Sequence, residues 1–320
     1  AGTKQLADIS KEGGFVIKST DDRDLIVFDK DCTLLDGDCP WLSDEGDGKK
    51  TLSDKSILRK RIEPWLTALF QSEHLNLLCG SGLTTSICAK AGVMAANMAK
   101  CEFSIKNEKI QEASKLKSEK AGRQEGNFED VIRTATELLR GLEIVGSDKA
   151  DILRNELKAI MENFAKSILE TERNIATSEQ KKREESFNTL INFLLSFSSR
   201  TGNRERLNIF TTNYDRLVEL GAELAGIHIM DRFVGTLMPI FRSSRLNLDI
   251  HYNPPGIRGE PRYLEGVMRF TKLHGSIDWV NSGDDIRRIG LPFGADDVKP
   301  YLNAPGLSHI DTMSLMIYPN

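Results

Sequence analysis

The sequence contains few cysteines, and their spacing excludes two classes of protein. The 320-residue chain has no Cys-x-x-Cys pair among its five cysteines, which are Cys32, Cys39, Cys79, Cys88 and Cys101. A zinc ribbon needs four closely spaced ligands, so the sequence excludes that class of metal site. An odd, scattered set of thiols is also a poor disulfide framework. We therefore expect free thiols and a cytoplasmic location.

Long apolar runs and an excess of basic residues are also absent. No apolar stretch approaches the roughly 18 residues that a membrane-spanning helix needs, and the first residues lack the basic and then apolar pattern of a signal peptide. The 43 Lys and Arg residues are balanced by 47 Asp and Glu residues, which gives a net charge of -4. This balance does not favour nucleic acid as a partner, and we expect no association with membranes.

What the sequence does contain is a globular composition and a polar turn after an apolar strand. Residues 207–210 fit a buried strand, residues 211–215 read Thr-Thr-Asn-Tyr-Asp, and a helical pattern begins at Arg216. In an open parallel α/β sheet, ligands bind at the carboxyl ends of the strands. The polar turn is therefore a candidate site. The alternative is a simple helix cap, because Asn and Asp favour helix N-termini through local hydrogen bonds.

A second turn of this kind follows residues 74–79, which have the pattern of a short buried strand. It contains Gly80-Ser81-Gly82 and leads into a helix of small residues. Glycines let the backbone approach a pyrophosphate, and the helix N-terminus offers free N–H groups. The third glycine of the dinucleotide fingerprint and the lysine of a P-loop are missing. A tight strand-to-helix turn without a ligand therefore stays open as an alternative.

A third turn follows the strand pattern of residues 267–273 and begins with His274-Gly275-Ser276. Histidine is the side chain that normally titrates near neutral pH, so His274 is a candidate general base. A structural histidine is the alternative interpretation. The position of His274 at a predicted strand end favours a role in a site.

The residues of about 100–200 form a long block in which Lys and Glu alternate with apolar residues at helical spacings. The block is too long for a loop. We predict a helical subdomain inserted into a main α/β domain of residues 51–320, which follows an N-terminal extension of residues 1–50. The inserted subdomain would either cover the cleft or contact other subunits.

A short motif in the N-terminal extension suggests a different chemistry. Residues 25–28 are apolar and lead into Asp29-Lys-Asp31, which resembles the first motif of the haloacid-dehalogenase phosphatases. In that family the first Asp attacks phosphorus and the second is the acid/base. The later motifs of the family cannot be placed in order in this sequence. The alternative is a hairpin, because residues 29–38 are rich in turn-forming residues.

In their order along the chain, the three turns resemble the motifs of the sirtuin-like NAD-consuming domains. The motifs are Gly-Ser-Gly at 80–82, Thr-Thr-Asn-Tyr-Asp at 211–215 and Lys-Leu-His-Gly-Ser at 272–276, so the resemblance covers about residues 75–280. These variants are similar to the bacterial anti-phage branch, which depletes NAD, and to its subunit that assembles with a HerA-type hexameric ATPase. The resemblance implies an α/β fold, a Rossmann-like parallel sheet with a large helical insertion.

The resemblance also implies an activity and a set of site residues. The protein would be an NAD+ glycohydrolase that cleaves its substrate NAD+ to nicotinamide and ADP-ribose. Asn213 would hold the nicotinamide ribose and the attacking water, His274 would be the general base, and Asp215 would polarise the pocket. The remaining residues that would contact the dinucleotide are Gly80, Ser81, Gly82, Thr84, Thr85, Thr212, Tyr214, Gly275 and Ser276.

The sequence departs from the family pattern at several points. Ser81 replaces the usual alanine, and the four-cysteine zinc module of the deacetylases is missing, so we expect no zinc. The family's contacts to the adenine ribose would lie beyond Asn320, and we expect further sequence there. The alternative function is an NAD or ADP-ribose sensor or scaffold whose partner ATPase or nuclease does the chemistry. The expected partners are other copies of the chain and a HerA-type ATPase or another phage-sensing protein.

Overall fold

The computed structural model describes most of the chain. It covers residues 15–17, 26–37, 55–95, 101–120, 122, 127–199, 205–253, 255, 259, 262–303 and 310–317. The chain forms two compact units, Ala1–Ser72 and Glu73–Asn320. The boundary that we expected between residues 50 and 51 stays a prediction.

The described residues form eight α-helices and fourteen short strands. The helices are α1 (Lys55–Phe70), α2 (Ser81–Ala91), α3 (Asn107–Lys120), α4 (Phe128–Ile144), α5 (Lys149–Ala176), α6 (Gln180–Ser198), α7 (Leu217–Ala225) and α8 (Lys299–Leu302). The strands are β1 (Phe15–Ile17), β2 (Ile26–Phe28), β3 (Leu34–Asp36), β4 (Asn76–Cys79), β5 (Leu207–Thr211), β6 (His228–Met230), β7 (Phe233–Val234), β8 (Ile240–Phe241), β9 (His251–Tyr252), β10 (Arg262–Tyr263), β11 (Val267–Lys272), β12 (Ser276–Asn281), β13 (Ile286–Arg288) and β14 (Leu315–Met316).

In the first unit, β1, β2 and β3 pair antiparallel in that order. The turn between β2 and β3 is held by Asp29, whose Oδ1 accepts hydrogen bonds from the N–H of Asp31 at 2.9 Å and the N–H of Thr33 at 2.8 Å. Asp is favoured in turns because its side chain bonds nearby backbone in this way. The hairpin interpretation of this segment is therefore confirmed.

In the second unit, a four-stranded parallel sheet has the order β4-β5-β11-β6 among the described residues. Every second residue of β5 is buried, namely Leu207, Ile209 and Thr211, while Asn208 and Phe210 between them are half-exposed. This period of two is what a pleated strand with one covered face requires. The predicted Rossmann-like α/β fold with a parallel sheet is confirmed.

Helix α6 packs against both α2 and α7, and α7 contacts β6 of the parallel sheet. The approach of α7 to α6 depends on Gly221, because a Cβ at this position would lie 2.7 Å from both Leu190 Cγ and Leu194 Cδ1. Both leucines are fully buried. Glycine therefore allows two helices to come closer than alanine would.

The predicted helical block is present as α3 to α6, which lie between α2 and β5 in the chain. Helix α4 packs against both α3 and α5. The core of this insertion contains Leu153, Leu157 and Met161 of α5, which are fully buried. Their spacing of four residues puts them on one face of the helix.

A second sheet, which the sequence analysis did not predict, is antiparallel and has the order β14-β12-β13-β8-β7. It begins where β11 ends, because Gly275 turns the chain into β12. Gly275 has φ +95, and a Cβ there would lie 2.1 Å from Met316 O of β14. Backbone conformation and close contact thus both require glycine. Within the described part of the chain, no helix is both long enough and apolar enough to span a membrane.

Candidate functional site

The three turns predicted from sequence lie at one edge of the parallel sheet. Thr211, at the end of β5, pairs with Cys79 of β4 and with Lys272 of β11. The strand ladder continues one step further, because the N–H of Leu273 donates to the carbonyl of Thr211 at 2.8 Å. The three strands therefore end at the same height along the strand direction, and the polar residues that follow them lie side by side. This is the edge of a parallel sheet at which ligands bind.

The turn after β4 leaves open space at the N-terminus of α2. A Cβ at Gly80 would have Thr212 Oγ1, at 4.0 Å, as its nearest neighbour, and a Cβ at Gly82 would have no neighbour within 4 Å. Neither glycine has a positive φ. Packing against the described residues therefore explains neither glycine. The free N–H groups of a helix N-terminus favour an anionic group in such a space.

The side chain of Asn213 lies between the first and second turns. Its Nδ2 donates to the carbonyl of Gly80 and to Oγ1 of Thr84, both at 2.9 Å. Thr84 in turn donates to Oδ2 of Asp215 at 2.6 Å. Both hydrogens of the Asn213 amide are used in these bonds, so its Oδ1 is the atom available to accept from a ligand.

Asp215 serves the helix and the candidate site together. Its Oδ1 accepts from the N–H of Leu217 in the first turn of α7 at 3.2 Å, and its Oδ2 accepts from Thr84. The predicted helix-cap role and the predicted site role are therefore compatible. The charge of Asp215 adds to burial in raising the pKa of the Cys88 thiol to about 11.

The buried ammonium group of Lys272 holds the backbone at this edge of the sheet through hydrogen bonds. It donates to the carbonyl of Asp215 at 2.5 Å and to Oγ of Ser276 at 2.8 Å, and it pairs with Glu219 at 2.9 Å. The Lys272 side chain is 1% exposed. A buried ammonium with three partners satisfies its three donors, so it joins the second turn to the third.

A cavity of about 320 Å³ opens at this edge. Its polar lining combines residues from all three turns with Asn127, Glu129 and Thr171 of the helical insertion. Its apolar wall comes from the helical insertion and includes Phe164 and Ile168 of α5. The residues that line it are Ser81, Thr84, Thr85, Ala95, Asn127, Glu129, Phe164, Ile168, Thr171, Thr212, Asn213, Tyr214, Asp215 and His274. Volumes of this order are typical of small-molecule sites.

His274 lies in the cavity beside a carboxylate. Its Nδ1 is 3.2 Å from Oε1 of Glu129, and the hydroxyl of Tyr214 donates to the same oxygen at 2.5 Å. Burial is the main cause that raises the pKa of the Tyr214 phenol above its ordinary value, and the bond to Glu129 adds to it. Tyr214 also packs edge-on against Phe164, with ring centroids 5.6 Å apart.

A buried ion pair joins the insertion to the segment that follows Asp215. The N–H of Arg216 donates to Oε1 of Glu172 at 2.9 Å, and its Nη2 donates to Oε2 at 2.5 Å. The same guanidinium donates to the carbonyls of Leu291 and Pro292. Glu172 is 0% exposed. The pair therefore connects three separate parts of the chain: α5, the segment after Asp215, and residues 291–292.

The structure brings most of the predicted site residues to the cavity, and it places four of them elsewhere. Eight of them are in its lining, from Ser81 to His274. Gly80 takes part through its carbonyl, which accepts from Asn213, and Gly82 is exposed beside it. Gly275 and Ser276 are buried at the start of β12 and face β14 and Lys272. They do not line the cavity, although the resemblance implied that they contact the dinucleotide, because β12 enters the second sheet at this point.

Sequence reasoning missed the residues that the insertion contributes. Glu129 and Asn127 come from the start of α4, and Phe164, Ile168 and Thr171 come from α5. The start of α4 has a recognisable signal, because Asn127 and Asp130 are spaced as a capping box. No local pattern shows that Glu129 faces His274, which is 145 residues further along the chain.

Among the described residues, no group of three or more His, Cys, Asp or Glu side chains is arranged to hold a metal ion. The side chains that line the cavity carry hydroxyls, two amides, carboxylates and one imidazole, beside an apolar wall. No protein-family model matches the chain, and no curated protein sequence matches it.

Proposed function

We propose that the protein is an NAD+ hydrolase that cleaves the bond between nicotinamide and ribose. The observation that carries the proposal is the meeting of Asn213, Asp215 and His274 in one cavity, at the carboxyl edge of a parallel sheet. The glycine turn and the N-terminus of α2 at the same edge suit the pyrophosphate. The apolar wall of Phe164 and Ile168 suits a nicotinamide ring.

The chemistry needs groups that place water and stabilise positive charge. The bond from ribose C1′ to the pyridinium nitrogen breaks, and its electron pair stays on nitrogen, so nicotinamide leaves as a neutral molecule. Water adds to C1′ and loses one proton to His274, which later releases it to solvent. Positive charge develops on the ribose in the transition state, and the Asp215 carboxylate stabilises it electrostatically.

The hydrogen-bond directions support a specific role for Asn213 in this proposal. Because its two N–H hydrogens are bound to Gly80 and Thr84, Asn213 presents Oδ1 as an acceptor. An acceptor binds water or a ribose hydroxyl through the hydrogen of that group. The oxygen lone pair of the bound group then stays free to point at another atom. In this role Asn213 orients the nucleophile, and His274 takes its proton.

The test is incubation of the full chain with NAD+, followed by chromatography of nicotinamide and ADP-ribose, with and without a HerA-type ATPase partner. His274→Ala should lower kcat by roughly 10²–10⁴-fold, the usual contribution of a general base, and Asn213→Ala should abolish nicotinamide release. Asn208→Ala is the matched control, because Asn208 bonds Asn76 outside the cavity lining. Full activity in both site variants would refute the proposal.

The wider role that we propose is NAD+ depletion during anti-phage defence. It rests on the likeness of the three motifs to that branch of the sirtuin-like domains. The helical insertion would then mediate assembly with other copies or with the ATPase. NAD+ binding without turnover in the presence of the ATPase would instead favour the sensor or scaffold function.

A further inference from the structure

The helical insertion brings one carboxylate, that of Glu129, to His274. Glu129 is 8% exposed, and one of its oxygens, Oε1, lies within hydrogen-bond distance of both His274 Nδ1 and the Tyr214 hydroxyl. Tyr214 belongs to the second turn and His274 to the third. Glu129 therefore connects the insertion to both the second and the third turn.

The start of α4 holds Glu129 in a defined position. Asn127 Oδ1 accepts from the N–H of Asp130 at 2.9 Å, and Asp130 Oδ2 accepts from the N–H of Asn127 at 3.3 Å. This reciprocal pair is a capping box, which fixes the first turn of a helix. Glu129 lies inside that turn, where the positive end of the helix dipole favours a negative charge.

The two contacts to Oε1 favour one arrangement of the protons. The Tyr214 phenol is a donor, because burial keeps its pKa above the ordinary value. The carboxylate then accepts from Tyr214, and it accepts a second hydrogen bond only if His274 carries its proton on Nδ1. In neutral imidazole that arrangement leaves Nε2 unprotonated and able to accept a proton.

We propose that Glu129 is the positioning residue for His274: it holds the imidazole as the Nδ1–H tautomer and leaves Nε2 to take the proton from water. The inference rests on the proposed hydrolase function and deepens it, because it makes the helical insertion part of the active site. Tyr214 has a supporting role, since its hydroxyl fixes the carboxylate. The site is then complete only when α4 is in place.

The first measurement is nitrogen NMR of the protein with labelled histidine, which reports the tautomer without needing activity. The native chain should show His274 with a hydrogen on Nδ1 and a bare Nε2. Glu129→Gln should shift this balance, because an amide that accepts from Tyr214 no longer attracts the Nδ1–H as a carboxylate does. Glu137→Gln, in an exposed ion pair with Lys117 further along α4, should leave the signal unchanged.

The second measurement is the kinetics of nicotinamide release. Glu129→Gln should lower kcat about 10- to 100-fold, as is typical when the partner that orients a functional histidine is lost. KM for NAD+ should stay nearly constant. A rise in KM with unchanged kcat would mean that Glu129 binds substrate directly, and it would overturn the positioning role. Glu129→Asp keeps the carboxylate and should recover part of kcat.

The two measurements separate failure of this inference from failure of the proposed function. In one outcome, the native chain shows the Nδ1–H tautomer, Glu129→Gln loses it, and the native chain releases no nicotinamide even with a HerA-type ATPase. That result would support the positioning contact and overturn the hydrolase function. In the opposite outcome, the native chain is active, and Glu129→Gln has the same His274 tautomer and the same kcat. That result would overturn the positioning role but not the hydrolase function. If Glu129→Gln does not fold, Glu129→Ala takes its place, because it also removes the carboxylate that contacts Nδ1 of His274. An unchanged tautomer together with an unchanged kcat in that variant would overturn the inference.

Discussion

The buried pair of Glu172 and Arg216 gives a sharp prediction about what holds the site together. Glu172→Gln keeps the size of the side chain and removes its charge. The guanidinium of Arg216 then stays buried with neutral hydrogen-bond partners in place of the carboxylate, namely the carbonyls of Leu291 and Pro292 and the amide oxygen of the new Gln. At least one of the three hydrogen bonds that Arg216 donates to the carboxylate also becomes a contact between two donors, because the amide nitrogen of Gln does not accept.

The magnitude follows from the environment of the pair. Removing one partner of a buried ion pair costs about 3–5 kcal/mol, because an uncompensated charge is left without water. Glu172 is 0% exposed and the side chain of Arg216 is 9% exposed, so solvent does little to reduce this cost. Typical folding free energies are about 5–15 kcal/mol. The variant should therefore lose a large fraction of the stability of the second unit.

The assay is urea unfolding followed by the fluorescence of Trp279, which is buried in β12, in a chain in which Trp41 and Trp65 are replaced by Phe. Glu170→Gln is the control, because Glu170 is exposed on the same helix, and its effect should stay within about 0.5 kcal/mol. A loss below about 1 kcal/mol for Glu172→Gln would refute the reasoning, since values that small are typical of exposed pairs.

Two further predictions use the pKa shifts. Burial raises the pKa of Cys79, Cys88 and Cys101 to about 11. Brief iodoacetamide treatment at mildly alkaline pH should therefore leave these three thiols unmodified, as measured by mass spectrometry, until urea unfolds the chain. Labelling of these three cysteines in the folded protein would contradict the prediction. The hydrogen bond to Glu205 raises the pKa of His74. The resulting stabilisation is complete below the ordinary pKa and is lost as pH rises through the folded-state pKa. Urea midpoints of the native chain and His74→Gln should therefore converge at high pH, and a constant difference would exclude this linkage.

The sequence predicted the parallel sheet and its polar edge because both depend on local patterns. Apolar residues before Gly80, Thr212 and His274 indicate strands, and parallel strands place their carboxyl ends on one edge whatever their order. The register of Thr211 with Cys79 and Lys272 then levels the three turns. No knowledge of long-range packing was needed for this part.

The second sheet escaped prediction because its strands carry little signal. Strands β7, β8 and β14 have two residues each, which is too short for a period of two to be seen. Strand β12 is longer, but its first five residues are all buried, so it does not alternate. The resemblance assigned Gly275 and Ser276 to the dinucleotide site, whereas Gly275 directly precedes this strand and Ser276 begins it.

The unpredicted part of the candidate site has a single physical origin, which is the packing of the insertion over the sheet edge. Tyr214 and Glu129 are 85 residues apart, and Arg216 and Glu172 are 44 apart. Tyr214 and Arg216 lie in or directly after a motif that the sequence shows. Their partners, Glu129 and Glu172, lie on amphipathic helices that contain several other Glu residues. Only burial distinguishes Glu129 and Glu172 from the exposed carboxylates of the same helices. Because both partners are carboxylates that the insertion buries against the second turn, displacement of α4 and α5 would release His274 and Arg216 together. We therefore expect the stability of the insertion and the competence of the site to vary together.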